Sequence, residues 1–426
     1  MKDIILLSLA LAVCMLGGCT DKDGQSSVSM EDMGDISAGK TSSAVSESQT
    51  ESFFVPESEP GNYEDPFGYQ TLNYDEVKGI WISYIELAGL QSDTEISFRS
   101  SVADVFDNCV KLGLNTVFVH VRSHGDAFYN SELYPRTKYL GGSYDPLPIM
   151  IEEAHKRGLS FQAWINPLRC CSVEDIDRAK GYPMYEWAGA GLVEVDGYYY
   201  LNPAYGEVIE LISEGAAELV EKYDVDGVHI DDYFYPTTDE TFDRAAFEAS
   251  SFDNLYEFRI ANCDRLVSSL YNAVKSADST ALFGVSPQGN YLNNYAYMYA
   301  DVEKWCTQSG YLDYIMPQIY FGFNNDAQPF SDVLRKWDSL ASKGKIPLIV
   351  GLSPAKLGKE DSWGGDSGRY EWINDRDILK RQFIETSETV SYGGICLYSY
   401  NSIYEADSDC ENQIDREISA LLSAIR

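Results

Sequence analysis

From Val77 onward the chain repeats one pattern. A short run rich in β-branched and aromatic residues is followed by a longer run with apolar residues at helical spacing. The strand-like runs are Val77–Ser83, Thr116–Arg122, Leu159–Asn166, Gly227–Asp232, Ala281–Ser286, Tyr314–Tyr320, Pro347–Ser353 and Gly394–Tyr400. Helical runs fall near Ser97–Leu112, Leu147–Arg157, Ala204–Tyr223, Phe252–Ser276, Phe330–Ser342 and Asn374–Thr389, with a last one at Asn412–Ile425. A short one near Val302–Ser309 is the least defined. Strands alternating with helices predict βαβ units and a parallel sheet. Eight of them predict an α/β fold of the (β/α)8 TIM-barrel type. An open doubly wound sheet is the alternative, but no Gly-rich phosphate loop follows any strand. The first two helices end in Lys111-Leu112-Gly113 and Lys156-Arg157-Gly158, a cation just before a glycine, which is helix-stop chemistry.

Alternation within the strands places chemistry. Successive strand side chains point to opposite faces. In Asp226–Pro236, DGVHIDDYFYP, Val228 and Ile230 share the face expected to meet the helices. His229, Asp231 and Tyr233 then point into the barrel mouth, where such barrels do their chemistry. A helix-capping or loop-bonding aspartate pair is the simpler alternative for this stretch alone. The other strands answer it. With Val117, Val119 and Val121 outward, His120 and Arg122 point inward. The same parity brings in Gln162, Trp164 and Asn166, then Ser286, then Met316, Gln318 and Tyr320, then Tyr398 and Tyr400. Unpaired polar groups are costly to bury, so this gathering at one end predicts a polar-aromatic ligand cleft. The loop Ser123–Tyr129 adds Asp126, and a long excursion from Cys170 to Asn202 adds Trp187, Tyr198, Tyr199 and Tyr200. Long insertions on this face usually carry function.

The first 70 residues follow another pattern. Residues 1–19 read as a targeting signal. Lys2 is a thin positive region and Ile4–Leu16 an apolar run too short to span a membrane comfortably. Leu16-Gly17-Gly18-Cys19 resembles the bacterial lipoprotein box, which implies lipidation of Cys19 and export to the outer face of the cell membrane, toward the cell wall. Residues 20–70 are rich in Ser, Glu, Asp and Gly and poor in apolar residues, so they are expected to be disordered. A tether of roughly 50 such residues would reach about 40 Å. Residues 71–426 are left for the barrel.

Composition narrows the ligand. The net charge of −35 argues against nucleic acid, which requires a basic footprint, and favours neutral or cationic ligands. The 31 tyrosines supply flat faces with polar tips, suited to stacking on sugars. Seven cysteines follow Cys19 with no CxxC and no framework spacing, so neither a disulfide scaffold nor a zinc site is read. His120 and His124 have HxxxH spacing, but they straddle a strand end and a loop, where that spacing does not pair two ligands. No metal and no cofactor is expected.

Seven motifs together carry a resemblance: KGIWIS at Lys78–Ser83, VRSHGDAFY at Val121–Tyr129, AWINP at Ala163–Pro167, LNP at Leu201–Pro203, DGVHIDDYFYP, FGVSPQG at Phe283–Gly289 and MPQIY at Met316–Tyr320. In order and spacing they resemble the glycosyl-hydrolase-like family ten over roughly Tyr74 to Tyr400. The resemblance implies a TIM barrel and an enzyme acting on polysaccharide, with bacterial cell-wall glycan as the substrate class. It implies no established catalytic pair.

Glycoside hydrolysis usually needs two carboxyl groups. Asp231 is the first. The stretch also lines up loosely with the chitinase-type signature, but Tyr233 stands where that signature has its glutamate, and Gln318 where many related barrels carry a second acid. The second carboxylate therefore comes from elsewhere: Asp126 first, then Asp232 and Glu86. Asp126 would need a raised pKa, and Asp232 a bend at the strand end. Arg122 is expected to orient a carboxylate or bind substrate. Trp164, Tyr233, Tyr320 and Tyr400 are expected to stack on sugars, and Asn166, His229 and Gln318 to bond hydroxyls. A glycan-binding surface lipoprotein without turnover is the second reading, and a metal-dependent hydrolase the third.

Overall fold

The structure is a computed structural model, and it describes residues 70–425. The targeting signal, Cys19 and all but the last residue of the expected tether lie outside the described residues.

Eleven strands form, in chain order: β1 Val77–Ile82, β2 Thr116–Arg122, β3 Ser160–Ile165, β4 Arg169–Ser172, β5 Leu192–Val195, β6 Tyr198–Leu201, β7 Gly227–Ile230, β8 Leu282–Val285, β9 Tyr314–Ile315, β10 Leu348–Leu352 and β11 Tyr392–Leu397. Eight close a parallel barrel in the order β1-β11-β10-β9-β8-β7-β3-β2. All eight predicted strands are barrel strands. The remaining three, β4-β6-β5, make a small antiparallel sheet inside the long excursion after β3, which sequence alternation did not reveal.

The helices follow their pattern. Glu95–Lys111 starts on Thr94, whose side chain accepts from Ser97 N, and Leu255–Ala277 starts on Asn254, which accepts from Tyr256 N and Glu257 N. Both predicted glycine stops have positive φ, +70° at Gly113 and +68° at Gly158, a region other residues enter at a cost.

Strand parity holds in the regular segments. Val117, Val119, Val121, Val228 and Ile230 belong to the large core between barrel and helices. Trp81, Phe118, Trp164, Tyr314, Met316, Tyr320, Ile349 and Cys396 form a second core inside the barrel. Gly284 is what lets the Tyr314 ring cross that interior, because a Cβ there would lie 1.9 Å from it. Parity fails where regularity fails. The β2–β3 register slips between His120 and Arg122, so Arg122 pairs with Ile165 and turns outward. The predicted strands Gly227–Asp232 and Tyr314–Tyr320 end early, at Ile230 and Ile315, which frees the following residues from alternation.

Candidate active site

The residues after Ile230 are the centre of the mouth. Asp231 is 3% exposed. Its Oδ2 accepts from Trp164 Nε1–H at 3.0 Å and its Oδ1 from the Tyr233 backbone N–H at 3.2 Å. Asn166, beyond the end of β3, is sandwiched between Asp231 and His120. The amide orientation that satisfies both neighbours turns its nitrogen to Asp231 Oδ2 and to His120 Nε2, each at 2.9 Å. His120 lies flat on Trp164, with ring centroids 3.7 Å apart and 9° between planes. Trp164, Asn166 and His120 therefore form one layer that fixes the Asp231 carboxyl.

Asp232 turns into the same mouth. Because β7 stops at Ile230, the bend that alternation would have denied it is present. Its Oδ1 accepts from Gln318 Nε2 at 3.1 Å, and that amide also donates to the Ser286 carbonyl at 3.1 Å. Gln318, where related barrels keep an acid, instead holds Asp232 in place. Burial pushes the pKa of Asp231 well above the usual carboxylate range, and the neighbouring Asp232 charge pushes it further. Burial also raises Asp232, against the Gln318 and Gln288 hydrogen bonds. Two desolvated carboxyls on consecutive residues titrate as a pair, with both pKa values raised and that of the deeper Asp231 raised further.

Asp126 has the raised pKa that an acid requires, about 6, from burial against a hydrogen bond from Thr137. The charges acting on it most are Arg178, Lys138 and Asp175 rather than the Asp231–Asp232 pair. Glu86 is occupied: it accepts from the Ser83 backbone N–H, from Ser399 Oγ at 2.8 Å and from Asn401 N–H at 2.6 Å. It ties the start of one loop to the end of β11 and is not free to exchange protons with a ligand.

Three expected ligand contacts sit elsewhere, and a fourth is covered by a neighbour. Arg122 is 1% exposed, with its guanidinium 4.2 Å above the Tyr134 ring and against Gly215 of the helix Gly206–Lys222. The β2 bulge put it outside the barrel wall. Tyr400 lies in the short helix Tyr400–Tyr404 past the end of β11, stacked on Tyr404 at 4.7 Å, and its hydroxyl accepts from Asn108 Nδ2 at 2.9 Å on the outer face. His229 points inward as expected but one layer too deep. Its Nδ1 lies 3.0 Å from the Tyr314 hydroxyl and its Nε2 accepts from Trp81 Nε1–H at 3.4 Å. Burial drives its pKa down to about 3, so it is a neutral plug residue. Trp164 is in the mouth, but His120 covers one face of its ring and its indole N–H holds Asp231, so it acts as a positioning residue. Tyr320 is in place, stacked on Tyr398 at 5.7 Å, and Tyr398 in turn meets Trp81 edge-on at 6.0 Å.

Arg169, the first residue of β4, was not singled out by alternation, because it belongs to the excursion rather than to a barrel strand. Its guanidinium lies 5.5 Å from the Tyr233 ring and 5.9 Å from the Tyr198 ring. Its charge lowers the Asp231 and His120 pKa values from nearby. The one available signal was its place directly after the AWINP motif, a lone cation in an apolar run. Three buried polar atoms around this mouth have no partner: His120 Nδ1, Ser286 Oγ and Arg169 Nε. Native folds satisfy nearly all such atoms, so orphans clustered at a strand-end mouth mark where a polar ligand binds. Among the described residues, no group of three His, Cys, Asp or Glu is placed to hold a metal ion.

The sequence matches the family described as glycosyl hydrolase-like 10 over residues 76–363. It is 32% identical over 330 residues to glycosyl hydrolase YngK of Bacillus subtilis, covering 68% of this chain and 63% of that protein. The chain thus spans less than two thirds of that relative's length. It is 28% identical over 358 residues to glycosyl hydrolase DigH of Escherichia coli, covering 71% of this chain and 79% of that one. Among solved structures, the glycoside hydrolase domain of PgaB (BpsB) from Bordetella bronchiseptica shares the fold with a TM-score of 0.53 at 14% identity, over 80% of this chain and 99% of that domain. Alpha-L-fucosidase isoenzyme 2 from Paenibacillus thiaminolyticus gives 0.52 at 14% identity, over 82% and 49%.

Proposed function

The chain belongs to the glycosyl hydrolase-like 10 family, and from that premise we propose that it hydrolyses glycosidic bonds of a bacterial cell-wall or related polysaccharide with the Asp231–Asp232 pair. The observation that carries this reading is the pair itself: two desolvated carboxyls side by side at a barrel mouth, each held by its own donors.

The two carboxyls divide the work by environment. Asp231, the deeper of the two, acts as the acid and delivers its proton to the glycosidic oxygen as the bond breaks. The Trp164 and Tyr233 N–H groups and the Asn166 amide already face its oxygens. They stabilise the carboxylate that the transfer leaves behind. Asp232, oriented by Gln318, faces the positive charge that develops on the sugar ring and takes the proton of the water that attacks it. Tyr233, Tyr320 and Tyr398 offer rings for the sugar faces. A lipid anchor on Cys19 and the tether of residues 20–70 would hold the barrel near the cell wall. Nothing in this site calls for a cofactor.

The test is release of reducing ends from peptide-stripped peptidoglycan by the full chain and by Asp231→Asn. The expected result is a loss of at least roughly 10³-fold in the variant with an unchanged melting temperature, since acid catalysis and the lost charge act together. A fully active variant removes Asp231 from the chemistry. Glycan that pellets the parent protein without any reducing-end release supports the alternative, a glycan-binding lipoprotein without turnover.

A further inference from the structure

We propose that Arg169 forms a subsite for a carboxylate borne by the substrate, so that the enzyme selects an acidic glycan. The inference deepens the hydrolase reading and rests on it for the reaction, but not for binding.

The argument starts from an unpaired buried cation. Arg169 is 8% exposed, and its Nε has no hydrogen-bond partner. Burial opposes its charge, and among the described residues no carboxylate lies within ion-pair distance of it, although its charge reaches Asp231. A cation taken out of water without a counter-charge costs several kcal/mol, because ring faces return only part of the lost hydration. A fold keeps such a group where a ligand supplies the missing charge. Arg259 shows the alternative that this chain uses for structure: Nε–H and Nη–H donate to Asp243, and Nη2–H to the Asp239 carbonyl at 2.6 Å. Arg122 also lacks partners for Nη1 and Nη2, but it is sealed beneath the helix Gly206–Lys222, where no ligand reaches it.

Local structure then shows how the cation is presented. Arg169 opens β4, which pairs antiparallel with β6, so that Arg169 stands opposite Tyr200. Tyr198 and Tyr200 lie two apart on β6 and share a face. The small sheet of the excursion thus carries the cation and two rings as one unit, and Tyr233, next to the carboxyl pair, meets the guanidinium from the other side. A guanidinium presents two parallel N–H groups that match a carboxylate. A singly charged anion fits better than a phosphate dianion, because the carboxyls of Asp231 and Asp232 share this mouth and the chain carries −35 overall. The chemical class is therefore a sugar with a carboxylate, either on an ether side arm or as a uronic acid.

The experiment uses the full chain, its Arg169→Gln and Arg169→Lys variants, and three polymers. The first is peptide-stripped peptidoglycan, whose lactyl side arms end in free carboxylates. The second is the same material after carbodiimide activation and borohydride reduction, which turns those carboxylates into alcohols. The third is polygalacturonate. The expected result is a kcat/KM for the parent about 10- to 100-fold lower on reduced glycan than on native glycan. Arg169→Gln should fall to that level on native glycan, lose the preference for native over reduced glycan, and melt no lower than the parent. Arg169→Lys should recover part of the loss. Preference for polygalacturonate over the peptidoglycan strand would move the carboxylate from the side arm to the ring. Equal cleavage of native and reduced glycan by the parent overturns the subsite, as does an equal loss on both in Arg169→Gln. If the parent cleaves none of the three, the hydrolase reading fails, and calorimetric binding decides the subsite by itself. Tighter binding of the native glycan supports it, and equal or absent binding overturns it.

Discussion

Two arginines in this barrel are buried among tyrosines and differ in one respect. Arg259 is fully buried, 5.1 Å from the Tyr235 ring and 5.0 Å from the Tyr299 ring, and its donors are taken by Asp243, Asp239 and Tyr299. Arg169 has rings at 5.5 and 5.9 Å and, among the described residues, no acceptor for its Nε–H. The first pair of charges closes a loop onto the long helix Leu255–Ala277. The second cation is left open at the mouth, next to a carboxyl that already has donors. The same contrast runs through the carboxylates. Glu86 is saturated and ties loops together, whereas Asp231 and Asp232 are held in place but stay directed at the mouth. Satisfied buried charges such as Arg259 and Glu86 stabilise this fold, whereas Arg122, unsatisfied but sealed beneath a helix, shows that Arg169 is set apart by its open position as well as by its missing partner.

The sharpest way to break this comparison is to remove both cations in turn. Arg259→Gln leaves the Asp243 charge buried without its partner and should lose about 3–5 kcal/mol in urea unfolding. Arg169→Gln should lose none, because it removes a desolvation cost rather than a bond. Equal losses in the two variants would end the distinction. A smaller effect sharpens it among the carboxylates. Asp232→Asn should lower kcat by about 10²-fold, while Asp126→Asn should stay within about threefold of the parent. The reverse order would move the second carboxyl to the Ser123–Tyr129 loop.

The smallest expected effect concerns Asp126 and pH. Its folded pKa, about 6, stands above the ordinary carboxylate value. Its favourable contribution is therefore complete below about pH 4 and is lost as pH rises through 6. The parent should lose about 1–2 kcal/mol relative to Asp126→Asn between those limits, once partial exposure is discounted. Parallel stability curves for parent and variant from pH 4 to 7 would show that Asp126 is not held protonated.

Much of this was legible in the chain. The two periodicities that separate strand from helix are local properties, and all eight barrel strands and the chief helices follow from them. The face of a residue in a regular strand is local too, which is why His120 and Trp164 were placed inward from sequence alone, and Asp231, one residue past the end of β7, keeps that direction. The motifs carried the family in the same way. The sequence by itself therefore determined the barrel, its mouth and the carboxyl at its centre. Tertiary structure decided the rest, for one physical reason. Parity is lost at a bulge or beyond a strand end, and what a side chain meets there depends on distant segments. The slip after His120 sent Arg122 outward to Gly215, and the early end of β11 sent Tyr400 to Asn108. The early end of β7 turned Asp232 to Gln318, and only the folding back of an excursion onto the mouth brought Arg169 beside Tyr233.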